Sequence, residues 1–242
     1  IVMAHFIIGS DIGGTFTDIV LFDVTSGRIH VEKVLTTPDN PSRGIINGIK
    51  RFKKSIAEIP RQCHQFIHAT TLVSNAVLER KGNPTALLCT RGFPHLLAAR
   101  RHQRSSVYEL FIDPPAPLID QRQIYEITER SYSDGRVLTP VNEDEVRNLV
   151  QRLRATGGVE SLAVAFLHSY ANKDNEETTG RIILEEWPDV ALSLSSSVLP
   201  ELREFERTST TVINAYVKPL IKTYLEELEE DSNLFYKVAV NT

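Results

Sequence analysis

This sequence is poor in several things, and each shortage removes a class of protein. It holds only two cysteines, Cys63 and Cys89, too few for a disulfide framework or a thiolate metal knuckle. A reducing compartment is the simpler setting for two lone thiols, and the cytoplasm is the expected location. No apolar run approaches the roughly 18 to 20 residues that a membrane helix needs. The opening stretch Ile1–Ile8 is apolar, yet it has no basic leader and runs straight into a turn motif. It reads as a core strand rather than a signal peptide. Basic residues are outnumbered, 27 against 31 acidic ones, for a net charge of −4. With no global positive field to gather nucleic acid or anionic lipid, neither is an expected partner. No repeat of fixed period is visible.

What is present is an ordinary globular composition: 41% apolar and 24% charged residues in a chain of 242, long enough for a sizeable core. Two short β-rich runs, Phe6–Ser10 and Thr17–Asp23, flank Asp11-Ile12-Gly13-Gly14-Thr15-Phe16 and predict a hairpin. A third strand is expected at Ile29–Leu35. Pro41-Ser42 then opens a helix whose apolar residues Ile45, Ile46, Ile49 and Phe52 recur at helical spacing. A short strand at Phe66–Ala69 leads into a helix over Leu72–Glu79, ended by Lys81-Gly82, and a strand at Thr85–Cys89 follows. The Pro- and Arg-rich stretch to about residue 123, centred on Pro114-Pro115-Ala116-Pro117, reads as an ordered excursion. Beyond it lie a strand at Gln123–Tyr132, a turn at Ser133-Asp134-Gly135 and a helix from Asn142 to Ala155. The nearly continuous apolar run Ser161–Leu167 suits a strand covered on both faces. A helix over Asp174–Trp187, a strand at Ala191–Ser195 and a helical stretch over Leu202–Glu230, interrupted by Pro219, complete the pattern. Three antiparallel strands followed by alternating helices and strands predict a mixed α/β sheet.

The motif richest in chemistry is Asp11-Ile12-Gly13-Gly14-Thr15-Phe16-Thr17-Asp18. A hairpin alone could use both glycines for positive φ angles. Here two aspartates and two threonines crowd the same bend. Glycines let backbone N–H groups approach phosphate oxygens, threonine hydroxyls add donors, and a carboxylate at a strand end can hold Mg²⁺ through its water shell. A second candidate is His68-Ala69-Thr70-Thr71, at a strand-to-helix junction where free N–H groups and hydroxyls suit an anion or a carbonyl. Helix capping by Thr70 or Thr71, with His68 packed alongside, is the alternative. Arg100-Arg101-His102-Gln103-Arg104 is the densest basic cluster, read by default as solvated surface charge. His168 and Asn172 follow a buried strand, and Cys89 lies in a core-like one.

The loop resembles the first phosphate hairpin of the actin-like ATPase superfamily, and its Gly-Gly-Thr-Phe-Thr-Asp form is similar to that of the hydantoinase A/5-oxoprolinase family. The likeness continues through Thr36-Thr37-Pro38-Asp39-Asn40-Pro41, His68-Ala69-Thr70-Thr71, Ser74–Gly82 and Thr90-Arg91-Gly92-Phe93. It ends with Phe166–Asn172 and Glu206–Tyr216. Alanine stands at position 69 and arginine at position 100 where the family usually has glycine.

The resemblance implies an α/β fold of the actin-like, ribonuclease H-like kind: a mixed sheet with flanking helices and an N-terminal β-hairpin phosphate loop. One domain over residues 1–230 is expected, with an inserted α/β portion at about 90–200. Residues 231–242 would be a tail or the start of a second half. The implied activity is ATP-dependent hydrolysis of a cyclic amide of hydantoin or 5-oxoproline type, by phosphorylation of the amide oxygen, with ATP and Mg²⁺ as cofactors. Gly13, Gly14, Thr15 and Thr17 would contact phosphate. Asp11 and Asp18 would be the catalytic carboxylates, Asp11 the one linked to the metal. His68, Thr70, Thr71, Arg101 and Arg104 would bind substrate. Alternatives are a subunit of an acetone- or acetophenone-type carboxylase, a non-catalytic module that keeps the fold, and a sugar-kinase relative. The last is disfavoured by the Asn75–Gly82 and Glu206–Tyr216 segments. The only other Gly-Gly pair, Gly157-Gly158, sits in a helix-to-strand turn. A second phosphate loop is therefore expected from a C-terminal half or a hydantoinase B-like partner subunit, and the chain alone is expected to turn over no ATP.

Overall fold

A computed structural model of the chain describes residues 6–37, 40–52, 63–101, 108, 111, 116–231 and 238–239. It divides into two compact units, Ile1–Lys81 with Leu220–Thr242, and Gly82–Pro219. In chain order the second unit is thus inserted within the first.

The first unit is built on a five-stranded mixed sheet. Strands β1 (Phe6–Ile12), β2 (Phe16–Asp23) and β3 (Ile29–Leu35) form an antiparallel meander, β1 pairing with β2 and β2 with β3. Strand β4 (Cys63–Thr70) runs parallel to β1, and β11 (Val238–Ala239) parallel to β4, giving the order β11-β4-β1-β2-β3. Val238–Ala239, within the segment expected to be a tail or the start of a second half, supply this sheet's fifth strand. Period-2 alternation decides which face is covered. Phe6, Ile8 and Ile12 of β1 and Ile19 and Leu21 of β2 turn inward against Ile45 and Ile49 of helix α1 (Pro41–Arg51). Asn40 caps α1 by accepting from Arg43 N at 3.2 Å, and Lys50 and Arg51 oppose the helix dipole in its last turn. Two glycines bring α1 close. A Cβ on Gly48 would lie 2.0 Å from Ile19 Cδ1, and one on Gly44 would lie 2.9 Å from Thr17 Oγ1.

Helix α2 (Leu72–Leu78) follows β4 directly. The residue that turns the chain out of it is Arg80, with φ 56°, rather than Gly82. Gly82 has a different purpose: a Cβ there would sit 2.1 Å from Tyr216 Cε1, so only glycine admits the ring.

The second unit carries a separate, all-parallel sheet in the order β10 (Ala191–Leu194), β9 (Ser161–Ala165), β5 (Thr85–Thr90), β6 (Ile124–Ile127). Both central strands are buried throughout. Leu88, Leu162 and Val164 face Val146 and Val150 of helix α4 (Glu143–Thr156) and Ile182 and Ile183 of helix α5 (Asp174–Glu186). Leu87, Ala163 and Ala165 face Val212 and Ala215 of the long helix α7 (Glu204–Asp231). Between β5 and β6 lies the short helix α3 (Leu96–Ala99), and α6 (Ser195–Val198) follows β10.

Two expectations need correcting. The single strand Gln123–Tyr132 is two, β6 and β7 (Arg130–Ser131), in different sheets, with β7 paired to β8 (Val137–Thr139). Between them Glu129 is buried, accepting from the Thr90 hydroxyl and, at 2.8 Å, from Asn175 Nδ2. A buried carboxyl needs such partners, and a regular apolar strand offers none. Nor does Pro219 interrupt the last helix, which is continuous over Glu204–Asp231. The proline removes an N–H within the helix, and the nearby Tyr216 carbonyl accepts from Asn83 N at 2.8 Å. Among the described residues no helix is long and apolar enough to cross a membrane.

Candidate phosphate-binding turn

The β1–β2 connection is three residues, Gly13, Gly14 and Thr15, closed by Gly13 N donating to Phe16 O at 2.9 Å. It lies beside the carboxyl end of the parallel β1–β4 pair, the edge at which open α/β sheets bind ligands. In register, Asp11 stands opposite Asp18 on one side and Ala69 on the other, and Ile12 lies beside Thr70. The turn, both aspartates and the Thr70-Thr71 junction therefore share one edge of the first unit.

Neither Gly13 nor Gly14 is among the glycines with positive φ, so the hairpin does not require glycine for its backbone angles. At Gly13 the requirement is space, since a Cβ would lie 3.1 Å from Phe16 O. At Gly14 no such requirement exists. The nearest atom to a Cβ there would be Asn75 Nδ2 at 3.5 Å, an ordinary contact. Gly14 and Thr15 are exposed, and among the described residues neither of their N–H groups has a hydrogen-bond acceptor. Two adjacent amides thus stand open at an exposed turn beside a glycine that local folding does not call for.

The two carboxylates differ. Asp18 is paired with Lys33 at 2.9 Å, and the same ammonium lies 5.3 Å from the Phe16 ring centre. Asp11 is exposed and has no cationic partner among the described residues. No cluster of three or more His, Cys, Asp or Glu suited to a metal occurs among those residues. Asp11 fits a hydrated Mg²⁺ that takes its other ligands from water and phosphate, not a cage built from protein alone.

The turn's threonines divide by strand parity. Thr15 is exposed, whereas Thr17 is fully buried, its hydroxyl 3.1 Å from that of Thr36. Thr17 therefore faces the core beside α1 and away from the exposed amides. His68 is also inward. Ser10 Oγ lies 2.8 Å from its Nδ1 and Tyr224 Oη 2.5 Å from its Nε2, with the Phe66 ring stacked at 6.0 Å. Desolvation pushes the imidazole pKa below its ordinary value, against a weaker upward pull from Asp11. Both ring nitrogens are occupied within the protein. Thr70 Oγ1 accepts from Leu72 N at 3.1 Å, and Thr71, exposed, accepts from Asn75 Nδ2 at 3.2 Å. The helix's first N–H is thus held by Thr70, one residue before the N-cap, while the N-cap Thr71 makes no side-chain capping bond. Arg101, in the second unit, forms an ion pair with Glu206. Arg104 lies outside the described residues. Lys33 and Tyr224 were not singled out from the sequence, and Thr36 and Asn75 stood there only within the family-like segments, with no role of their own.

A mixed sheet with its first antiparallel strands joined by such a turn defines an actin-like α/β half. The chain belongs to the family described as the hydantoinase/oxoprolinase N-terminal region, which it matches over residues 7–187. An uncharacterised protein of Methanocaldococcus jannaschii is 42% identical over 222 residues, covering 90% of this chain and 32% of that protein. The caprolactamase subunit alpha of Pseudomonas jessenii is 32% identical over 233 residues, covering 92% of this chain and 32% of its own length. The crystal structure of the ATP-dependent caprolactamase from that organism superposes with a TM-score of 0.86 at 30% identity, over 97% of this chain and 35% of the other. Nucleotide-free acetone carboxylase, a protein of ATP-dependent acetone carboxylation, gives a TM-score of 0.84 at 26% identity, over 98% and 36%. The chain spans about a third of the length of these proteins.

Proposed function

We propose that this chain is the phosphate-binding N-terminal region of an ATP-dependent enzyme that opens a cyclic amide, of the hydantoin, 5-oxoproline or lactam type. The observation that carries this reading is the pair of open amides at Gly14 and Thr15, flanked by outward carboxylates at the carboxyl edge of β1. When bound, Mg²⁺-ATP supplies a γ-phosphoryl group that converts the poorly electrophilic amide into one with a leaving group on its former carbonyl oxygen. The protein's part in such a transfer is positioning and charge compensation. Gly14 and Thr15 donate N–H bonds to the polyphosphate, with the Thr15 hydroxyl as a further donor, and Gly13 sets the bend. Asp11 holds the hydrated metal. Asp18, its charge partly met by Lys33, orients water. Thr71, exposed at the same edge, is retained as a substrate contact. His68 supports the strand from within, and Arg101 keeps Glu206 as its partner.

The adenosine pocket and second phosphate loop are assigned to a further region or a partner subunit, in keeping with relatives named as subunits and with about a third of their length covered. Two free cysteines fit a cytoplasmic setting. The test is calorimetric titration of Mg²⁺-ATP, then amide-dependent phosphate release, with that further region or subunit supplied. Saturable heat and release that depends on 5-oxoproline or a lactam support the reading; neither signal appearing removes it. The likeness to acetone carboxylase favours a second reading, a carboxylase subunit, which the same assay recognises by ketone- and bicarbonate-dependent release.

A further inference from the structure

We propose that Thr36 and Thr17 form a hydroxyl clamp that aims the phosphate-binding amides, Thr36 being the positioning residue; this rests on the phosphate-binding reading of the turn. Thr36 lies one residue past β3, yet it holds the three-residue turn at both ends. Its N–H donates to Thr15 O at 3.0 Å, and its hydroxyl donates to Gly13 O at 2.9 Å. The hydroxyl has a single proton, and that proton goes to Gly13 O. The 3.1 Å contact between the two threonine hydroxyls must then run the other way, with Thr17 donating to Thr36. Thr17 is fully buried, and the missing Cβ of Gly44 leaves room for its oxygen.

The consequence follows from peptide planarity. In a trans peptide the carbonyl of one residue and the N–H of the next point in opposite directions. With the Gly13 carbonyl tied to Thr36, the Gly14 N–H must point away from Thr36. The Thr15 carbonyl is tied to the same residue, so the peptide carrying the Thr15 N–H lies between two fixed neighbours. Without the clamp, a glycine pair with no positive-φ requirement has ample freedom to rotate those amides. Thr17, expected from its place in the motif to touch phosphate, acts instead from beneath the turn.

The test compares Thr36→Val, which keeps the shape and loses the O–H, with Thr36→Ser, which keeps the O–H. Backbone amide NMR on the labelled chain, with the further region or partner subunit supplied unlabelled and Mg²⁺-ATP titrated in, reads both affinity and the Gly14 and Thr15 amides directly. Native protein should shift those two amides. Thr36→Val should bind about tenfold more weakly and show altered Gly14 and Thr15 resonances before any nucleotide is added, the loss expected for one hydroxyl hydrogen bond. Thr36→Ser should return both to native values. Thr17→Val, which leaves the Thr36–Gly13 bond in place, should weaken binding by about threefold and supplies the answer if Thr36→Val does not fold. Shifts in native protein with unchanged affinity and turn resonances in the valine variants would overturn the clamp while leaving the phosphate site standing. No shift at Gly14 and Thr15 in native protein would overturn the phosphate reading, and the clamp with it.

Discussion

Substituting Gly14 by alanine should separate folding from binding. A Cβ at this position meets nothing closer than Asn75 Nδ2 at 3.5 Å, and the backbone is not in the left-handed region. The folded state therefore accommodates the methyl, while the unfolded chain loses freedom. Stability should stay the same or rise by about 0.4–1 kcal/mol. Binding should suffer, because the methyl projects from an exposed turn whose N–H groups must come within hydrogen-bond distance of a phosphate oxygen. Losing one hydrogen bond to a charged group costs about 1.5–3 kcal/mol, or roughly 10- to 150-fold in affinity. Urea denaturation followed by circular dichroism gives the first quantity and Mg²⁺-ATP calorimetry the second. Native stability with undiminished affinity would show that the open amides are not the phosphate contacts. A large loss of stability would show that Gly14 is structural after all.

Three further outcomes follow from the same geometry. Gly82→Ala drives a methyl into the Tyr216 ring, 2.1 Å from Cε1, and should cost about 1–3 kcal/mol in a urea melt. Tyr224→Phe leaves a buried His68 nitrogen without its hydroxyl and should cost about 1–3 kcal/mol. His68 itself imposes a pH dependence. Its folded pKa is depressed, so between that value and about 6.5 the unfolded chain binds more protons. The His68 contribution should be intact above pH 6.5 and lost on acidification, as measured by amide hydrogen exchange in β1 and β4 at pH 7.5 and 5.5.

Much of this was legible in the sequence because the signals were local. The β-rich runs on either side of Gly13-Gly14 marked the hairpin, and Pro41-Ser42 marked the start of α1. The nearly continuous apolar run at Ser161–Leu167 announced a strand covered on both faces. What escaped depended on distant partners. Glu129 breaks an apparent strand because Thr90 and Asn175, 39 and 46 residues away, offer it hydrogen bonds. Gly82 looks like a helix stop, but its reason is Tyr216. His68 looks like a ligand from its place in a motif, yet Tyr224, 156 residues further on, occupies one ring nitrogen. Thr17 stands in the phosphate motif, but strand parity turns it inward, and Thr36, 19 residues later, gives its hydroxyl a purpose.

The deciding measurement is a crystal structure of the chain, together with the further region or partner subunit proposed above, bound to Mg²⁺ and a non-hydrolysable ATP analogue. Polyphosphate oxygens should lie about 3 Å from the backbone nitrogens of Gly14 and Thr15, with the metal's water shell against Asp11. A polyphosphate lodged elsewhere, with those two N–H groups turned onto protein carbonyls, would contradict the phosphate-binding role of the turn.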